Sequence, residues 1–309
     1  MTSGKASRRA KSSRTKRQHV VPVMYLSAWA NDRHQVLARR SGVTRPFLTN
    51  VSNVAVRSNF YDIEFPDGTS SDMIEKAMAR IEGEIKPVLD EIRSGCWPLS
   101  ADSRAIIANF IALQMGRGPS MRASVERAFD EIESKGRDVR DHMRALQEND
   151  PDEYKRRAEV HSRLNSVADG PAIPIDALPD IRRALPLSAF KTSADLVNLL
   201  ASHSWTLLES DTAAFITSDQ PVVLWPPKGF PEFLGVGIMT AERLTIPLSP
   251  RLCLELRMSV PDDEGLLTPG ADQRRSVSPV EVSEINRATA RGAHSHLIVA
   301  PGHDIPTQP

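Results

Sequence analysis

The apolar positions Ile74, Met78, Ile81, Ile85, Leu89 and Ile92 recur at helical spacing and stop at Gly95. Asp72 with Glu75 opens that run as a capping box, and the glycine reads as its C-terminal stop, so a helix is predicted here. Ser100 caps a second helix, Ala101–Met115, whose IIANFIAL stretch is apolar on nearly every face. A helix apolar all round is buried. It runs out in Gly116-Arg117-Gly118-Pro119. From Ser120 to Ala168 the pattern reverses to charge, with Glu126, Arg127, Asp130, Glu131 and many successors. Two or three solvated helices broken near Gly136 and Asp150-Pro151 are expected there, as an insertion over 120–168. A Pro-rich stretch from Gly170 to Pro186 is the best linker candidate. After a helix around Ser193–Ser202 the pattern becomes that of strands, at Ser204–Glu209, Ala213–Thr217, Pro221–Trp225, Leu244–Leu248 and Leu252–Met258. A final helix, Pro279–Gly292, leads into a strand at His296–Ala300. Near the start, a helix over Pro22–Ala30 precedes a short strand at Gln35–Arg40. Asn59–Phe65 alternates as a strand does and ends at the turn Pro66-Asp67-Gly68. No internal repeat is present.

Helices first and mostly consecutive strands later define an α+β protein, with an N-terminal helical layer packed on a C-terminal, mostly antiparallel sheet. Residues 18–300 are expected to form one domain, flanked by a disordered basic arm (1–17) and a tail (301–309). Hydrophobic residues at 40% and charged residues at 25% are those of a soluble globular protein. No stretch approaches the roughly 20 apolar residues of a membrane span. Basic residues at the N-terminus have no apolar segment after them, so a secretory signal is not expected; the Arg- and Ser-rich, acid-free composition is shared with organellar transit peptides. Cys96 and Cys253 are the only cysteines, which leaves neither a disulfide framework nor a cysteine zinc site and points to a reducing cytoplasm.

The formal net charge of zero conceals an asymmetry. Lys5, Arg8, Arg9, Lys11, Arg14, Lys16 and Arg17 give the first 17 residues +7, so the remainder carries −7. Such an arm can contact phosphate or anionic lipid, and it also reads simply as a solubilising leader. Just beyond it, His19 stands before the proline-led helix, near backbone N–H groups that favour anions. Gln114 lies one turn before the exit of the buried helix, Arg117 at that exit and Arg122 at the start of the next helix. A half-buried arginine there reads as a bidentate clamp on phosphate or carboxylate, or as an internal salt bridge or helix cap. Asp219, in TSDQP, sits at the end of an apolar strand, as a site residue or as ordinary turn chemistry. His294 and His296 share one strand face and could hold a metal with an acid from elsewhere, but read more simply as edge-strand histidines. His203 and His161 look like surface or helix-end residues, and Asp262-Asp263-Glu264 like a solvated hairpin loop. The chain holds no phosphate loop, nucleophile elbow or HExxH.

Several of these segments together resemble a family of bacterial proteins of unknown function whose signature is an H-Y-V-P motif. Here His19-Val20-Val21-Pro22 is followed by Tyr25-Leu26 and Trp29. Ala112-Leu113-Gln114-Met115-Gly116-Arg117-Gly118-Pro119 is similar to the family's A-L-Q-x-x-R-x-P, and Thr217-Ser218-Asp219-Gln220-Pro221 to its S-D-N-P. Ile246-Pro247-Leu248-Ser249-Pro250 and Asn286 fit as well. Val20 and Gln220 depart from the pattern. The resemblance implies no established activity. The residue types at His19, Gln114, Arg117, Asp219 and Asn286 match phosphodiester chemistry: an acid/base, a cation and orienting amides. The expectation is therefore a phosphodiester- or nucleotide-hydrolysing enzyme, a nuclease among the candidates. His19 would be acid/base, Arg117 the phosphate clamp and Asp219 the group that orients His19 or holds a divalent metal ion. Gln114, Asn286 and Arg122 would bind substrate. Nucleic acid or nucleotide would be the partner, through Arg117 and the basic arm. The alternative is a non-catalytic module that binds an anionic ligand or regulates. On either reading His19, Arg117 and Asp219 should line one pocket.

Overall fold

A computed structural model of the chain describes residues 17–58, 63–64, 70–71, 73–116, 118–167, 196–231, 235–258 and 271–305. Strand β1 (Arg17–His19) leads to a single helical turn, α1 (Val23–Leu26), and a 3-10 turn at Ser27–Trp29. Strands β2 (Gln35–Arg40), β3 (Phe47–Asn50), β4 (Val56–Ser58), β5 (Ile63–Glu64) and β6 (Ser70–Ser71) follow. Four helices come next: α2 (Met73–Arg93), α3 (Ala101–Gly116), α4 (Pro119–Asn149) and α5 (Pro151–Val167). A short helix α6 (residues 196–201) precedes β7 (Ser204–Glu209), β8 (Thr217–Ser218), β9 (Val223–Trp225), β10 (Arg243–Pro247), β11 (Leu252–Arg257) and β12 (Gln273–Ser276). Helix α7 (Pro279–Gly292) and strand β13 (His296–Val299) close the described order. The protein is α+β.

Local chemistry accounts for the helix ends. Ser100 Oγ accepts the Ser103 N–H at 3.1 Å, and Gly95 adopts a φ of +99° just past α2, which a glycine reaches without strain. Helix α7 opens with a reciprocal cap. Ser278 Oγ accepts from Glu281 N at 3.3 Å while the Glu281 carboxylate accepts from Ser278 N at 2.9 Å, with Pro279 in the first turn. The break expected at Gly136 does not occur. Helix α4 runs through it, since one glycine costs only about 1 kcal/mol relative to alanine, and Glu131 pairs with Lys135 at 2.7 Å beside it. Asp150 does end that helix, and its carboxylate accepts the Glu153 N–H at 3.0 Å to start α5. The expected Pro22–Ala30 helix is shorter: Pro22 holds an extended ψ of 139°, and four α-helical residues pass into the 3-10 turn.

Two larger sheets organise the rest. One has the strand order β12-β7-β11-β10-β9, antiparallel except where β12 runs parallel to β7. The other has the order β3-β2-β13-β8 and is antiparallel throughout. Its strands come from both ends of the chain, so the N-terminal half supplies sheet as well as helix. Between β2 and β13 the register sets Arg40 opposite His296 and Ala38 opposite Ile298. Strand β13 is interior and holds His296 but not His294, which lies in the bend before it, so the reading of two histidines on one face of an edge strand is corrected. A core of Tyr25, Trp29, Val36, Ala38, Ile85, Leu89, Phe110, Trp205, Leu254 and Ile298, all essentially without exposure, links both sheets to α2 and α3. His203, read as a surface or helix-end residue, is at the end of α6 and buried, with Nδ1 at 2.7 Å from the Leu199 carbonyl.

The linker at 170–186 and the Asp262-Asp263-Glu264 loop lie outside the described residues, as does most of the Asn59–Phe65 strand. Among the described residues no helix is long and apolar enough to cross a membrane.

Candidate functional site

Tyr25, on the single turn of α1, is where the motif-bearing segments meet. Its ring packs against Trp29 (5.3 Å between centroids) and against Phe110 of α3 (5.5 Å). Its hydroxyl lies 2.9 Å from Thr217 Oγ1 of β8 and donates to the Pro247 carbonyl at 2.5 Å. Burial pushes the phenol far above its ordinary pKa, so it stays protonated. Trp29 Nε1 donates to Phe215 O at 2.9 Å, and the Arg93 guanidinium donates to Tyr25 O and Leu248 O. The HVVP, FIALQ, FITSD and IPLSP segments are thus neighbours around one buried ring. The exit of α3 abuts the turn that follows β8. A Cβ built on Gly118 would stand 2.9 Å from Gln220 Nε2, so only a residue without a side chain lets Gln220 lie this close.

Asp219 is buried, and the loop from α7 to β13 encloses its carboxylate. Oδ1 accepts from the backbone N–H groups of His294 (3.0 Å), Ser295 (3.1 Å) and His296 (3.3 Å). Oδ2 accepts from Ser295 N at 2.9 Å and from Ser295 Oγ at 2.5 Å. Successive N–H groups converging on one anion satisfy a buried charge that would otherwise be costly. The same contacts orient His296. Its Nδ1 lies 3.0 Å from Ser295 Oγ. The serine has one proton, and it is committed to Asp219, so the ring nitrogen must be the donor. Neutral His296 therefore carries its proton on Nδ1 and exposes an Nε2 lone pair, which has no hydrogen-bond partner among the described residues.

The surroundings of that lone pair are cationic. Burial depresses the His296 pKa; Asp219 opposes this, and the guanidiniums of Arg40 and Arg57 depress it further. Arg40 stands opposite His296 in the sheet and its guanidinium lies 5.4 Å from the Phe47 ring centre. Arg57 is half-buried on β4. Among the described residues neither guanidinium has a carboxylate partner. Two guanidiniums that lack carboxylate partners among the described residues, acting on an imidazole with a free Nε2 lone pair, are the residue types that hold a tetrahedral oxyanion and take a proton from it or from a bound water.

The residues singled out in the sequence take up the following positions. His19 ends β1, half-buried, with Nε2 at 3.1 Å from Ser52 O; it stands opposite Val56 of β4 rather than at a helix entry. Gln114 is buried on α3. Arg117 lies outside the described residues; Arg122 lies in α4, its side chain likewise undescribed. Asp219 is built into the site, as the group that fixes its loop. Asn286 is engaged elsewhere: its Oδ1 accepts from Ile216 N at 3.0 Å and its Nδ2 donates to Ala214 O at 2.8 Å. That side chain substitutes for a neighbouring strand, which is why β8 is two residues rather than the expected Ala213–Thr217. Ser295, Arg40 and Arg57 carried no motif in the sequence. The only available signal was His296 beside a serine, and it depends on a pairing to distant residues. Among the described residues no group of three or more His, Cys, Asp or Glu is arranged to hold a metal ion.

The family model described as "Protein of unknown function (DUF4238)" matches residues 17–303. No curated protein and no solved structure matches the chain.

Proposed function

The chain belongs to the DUF4238 family, and from that premise we propose that it acts on phosphodiesters or nucleotides, holding the anion with Arg40 and Arg57 and using His296 as general base. The observation that carries this reading is the pair of guanidiniums, without carboxylate partners among the described residues, that act electrostatically on an imidazole whose free nitrogen is defined by the Asp219–Ser295 contact. A lowered pKa keeps that imidazole neutral at pH 7, as a base must be. His296 takes the acid/base role first assigned to His19. Asp219 acts through the histidine, as a positioning residue. Arg117 and the basic arm supply further attraction for nucleic acid, an interaction that weakens steeply with salt. Cys253 is buried with its thiol pKa raised, which fits a cytoplasmic protein that needs no disulfide.

A second reading, a non-catalytic anion-binding module, is favoured by one fact. Five hydrogen bonds already occupy the Asp219 carboxylate, which leaves it little capacity to take a metal ion. Purified protein incubated with a panel of RNAs, DNAs and nucleotides, with and without Mg²⁺ or Mn²⁺, separates the two. The enzyme releases product and loses at least a hundredfold in turnover in His296→Gln with binding retained. The module binds but releases nothing. Affinity and stoichiometry both unchanged from the unaltered chain in Arg40→Ala/Arg57→Ala overturn both.

A further inference from the structure

A groove of about 380 Å³ runs along the outer side of α7, lined by Trp225, Glu284, Arg287 and Arg291. Its volume falls within the range of small-molecule sites. Trp225 is held rigidly at its wall. The indole Nε1 donates to Thr245 Oγ1 at 2.9 Å, and the Arg243 guanidinium lies 4.1 Å from the ring centre. Arg243 is itself fixed at 2.7 Å by the buried Glu255 carboxylate. A half-buried indole tied at its edge and backed on one face is a pre-organised stacking surface, since no side-chain freedom is lost when a ring settles on it.

Opposite stand Arg287 and Arg291, exposed and one helical turn apart. Like charges at this spacing repel, and among the described residues neither is paired with an acid. Glu284 lines the same groove and has no ion pair among the described residues, so its carboxylate can accept from hydroxyl or amino groups.

We propose that this groove binds a nucleoside monophosphate, its base stacked on Trp225 and its phosphate held by Arg287 and Arg291. Glu284 accepts from the sugar hydroxyls or from an exocyclic amine. The site is independent of His296: its cations belong to α7, whereas Arg40 and Arg57 belong to β2 and β4.

Adenosine monophosphate is the probe, titrated into the full chain carrying Arg40→Ala/Arg57→Ala so that only the groove is read, by calorimetry and tryptophan fluorescence. Saturable quenching is expected, with adenosine and inorganic phosphate each binding at least tenfold more weakly. Trp225→Leu should remove the quench. Arg287→Ala/Arg291→Ala, which alters exposed side chains only, should weaken binding at least tenfold with the melting temperature unchanged. Phosphate binding as well as the nucleotide, an arginine double variant with full affinity, or no saturable quench at millimolar nucleotide overturns the proposal. None of these outcomes bears on the His296 site, whose failure is read from product release and from an unchanged binding stoichiometry in the Arg40 and Arg57 variants.

Discussion

Replacing Asp219 by alanine removes the acceptor of four donors at once: the backbone N–H groups of His294, Ser295 and His296, and the Ser295 hydroxyl. The hydroxyl can rotate to another partner. The three amides cannot, because Asp219 N and His296 O bond each other at 3.1 Å and β13 is held on both sides by β2 and β8. A buried donor left unmade costs about 1–3 kcal/mol, and water entering the vacated space relieves part of the sum, so the expected loss is about 3–5 kcal/mol. Asparagine keeps Oδ1 with its three donors and replaces only Oδ2, toward which the serine hydroxyl can turn as acceptor. Its expected loss is about 1–2 kcal/mol. With about 2–4 °C of melting temperature per kcal/mol in a chain of this size, alanine should lower the midpoint by about 6–20 °C and asparagine by less than half of that. Urea denaturation and calorimetry measure both. A loss below about 1 kcal/mol in Asp219→Ala, or equal losses in the two variants, refutes the reasoning that the carboxylate holds this loop. Nitrogen-15 spectra of the His296 ring give a second reading: the proton on Nδ1 in the native chain and on Nε2 in Ser295→Ala.

Tyr25→Phe should cost about 1–2 kcal/mol in urea denaturation, since it leaves the Pro247 carbonyl without its donor; an unchanged midpoint would show that the hydroxyl contacts contribute nothing. Asn286→Asp sets a carboxylate oxygen against Ala214 O and should cost about 3 kcal/mol or more, whereas a surface role would leave the melting curve untouched. His203 and His296 both have folded pKa values below the ordinary 6.5, so the unfolded chain takes up protons first on acidification. Stability from these rings is full above that value and falls as pH drops through it toward the folded pKa. Urea midpoints at pH 7.5 and 5.5 should differ accordingly, and His203→Asn, which keeps an N–H donor toward Leu199, should flatten the slope. Gly118→Ala should leave the fold within about 1 kcal/mol in urea denaturation, because the atom it meets is the mobile end of Gln220 and its φ of −61° suits any residue; a larger loss would show that Gln220 cannot move aside.

Helices α2, α3 and α7 are legible in the sequence because each signal is local: an apolar repeat, a serine cap, a glycine stop. The strands Gln35–Arg40 and Ser204–Glu209 likewise agree with the pattern to the residue. Strand β12 does not announce itself. QRRS is exposed along its length and becomes a strand only by running beside β7. The site divides in the same way. Asp219 stands out as a polar residue between two apolar runs, but nothing near it in sequence reveals that it grips residues 294–296. His296 looks like one of a pair on an edge until β2 and β8 flank it. Arg40 and Arg57 belong to no sequence pattern, since their lack of carboxylate partners among the described residues is a property of the assembled molecule.

The sheet that seats His296 between β2 and β8 also dictates when the site can exist during synthesis. Residues 40 and 296 must meet, and closing a loop of that length carries a logarithmic entropy term of about 5 kcal/mol. Until β13 leaves the ribosome, β2 has only β3 beside it, and the carboxylate of Asp219 has no loop to grip. At elongation rates of about 5–20 residues per second, the nascent chain therefore spends many seconds with Arg40 and Arg57 made and His296 not yet in existence. A chain released early, or clipped before residue 294, carries the guanidiniums without the imidazole. Synthesis of β13 is itself the step that joins His296 to the two arginines.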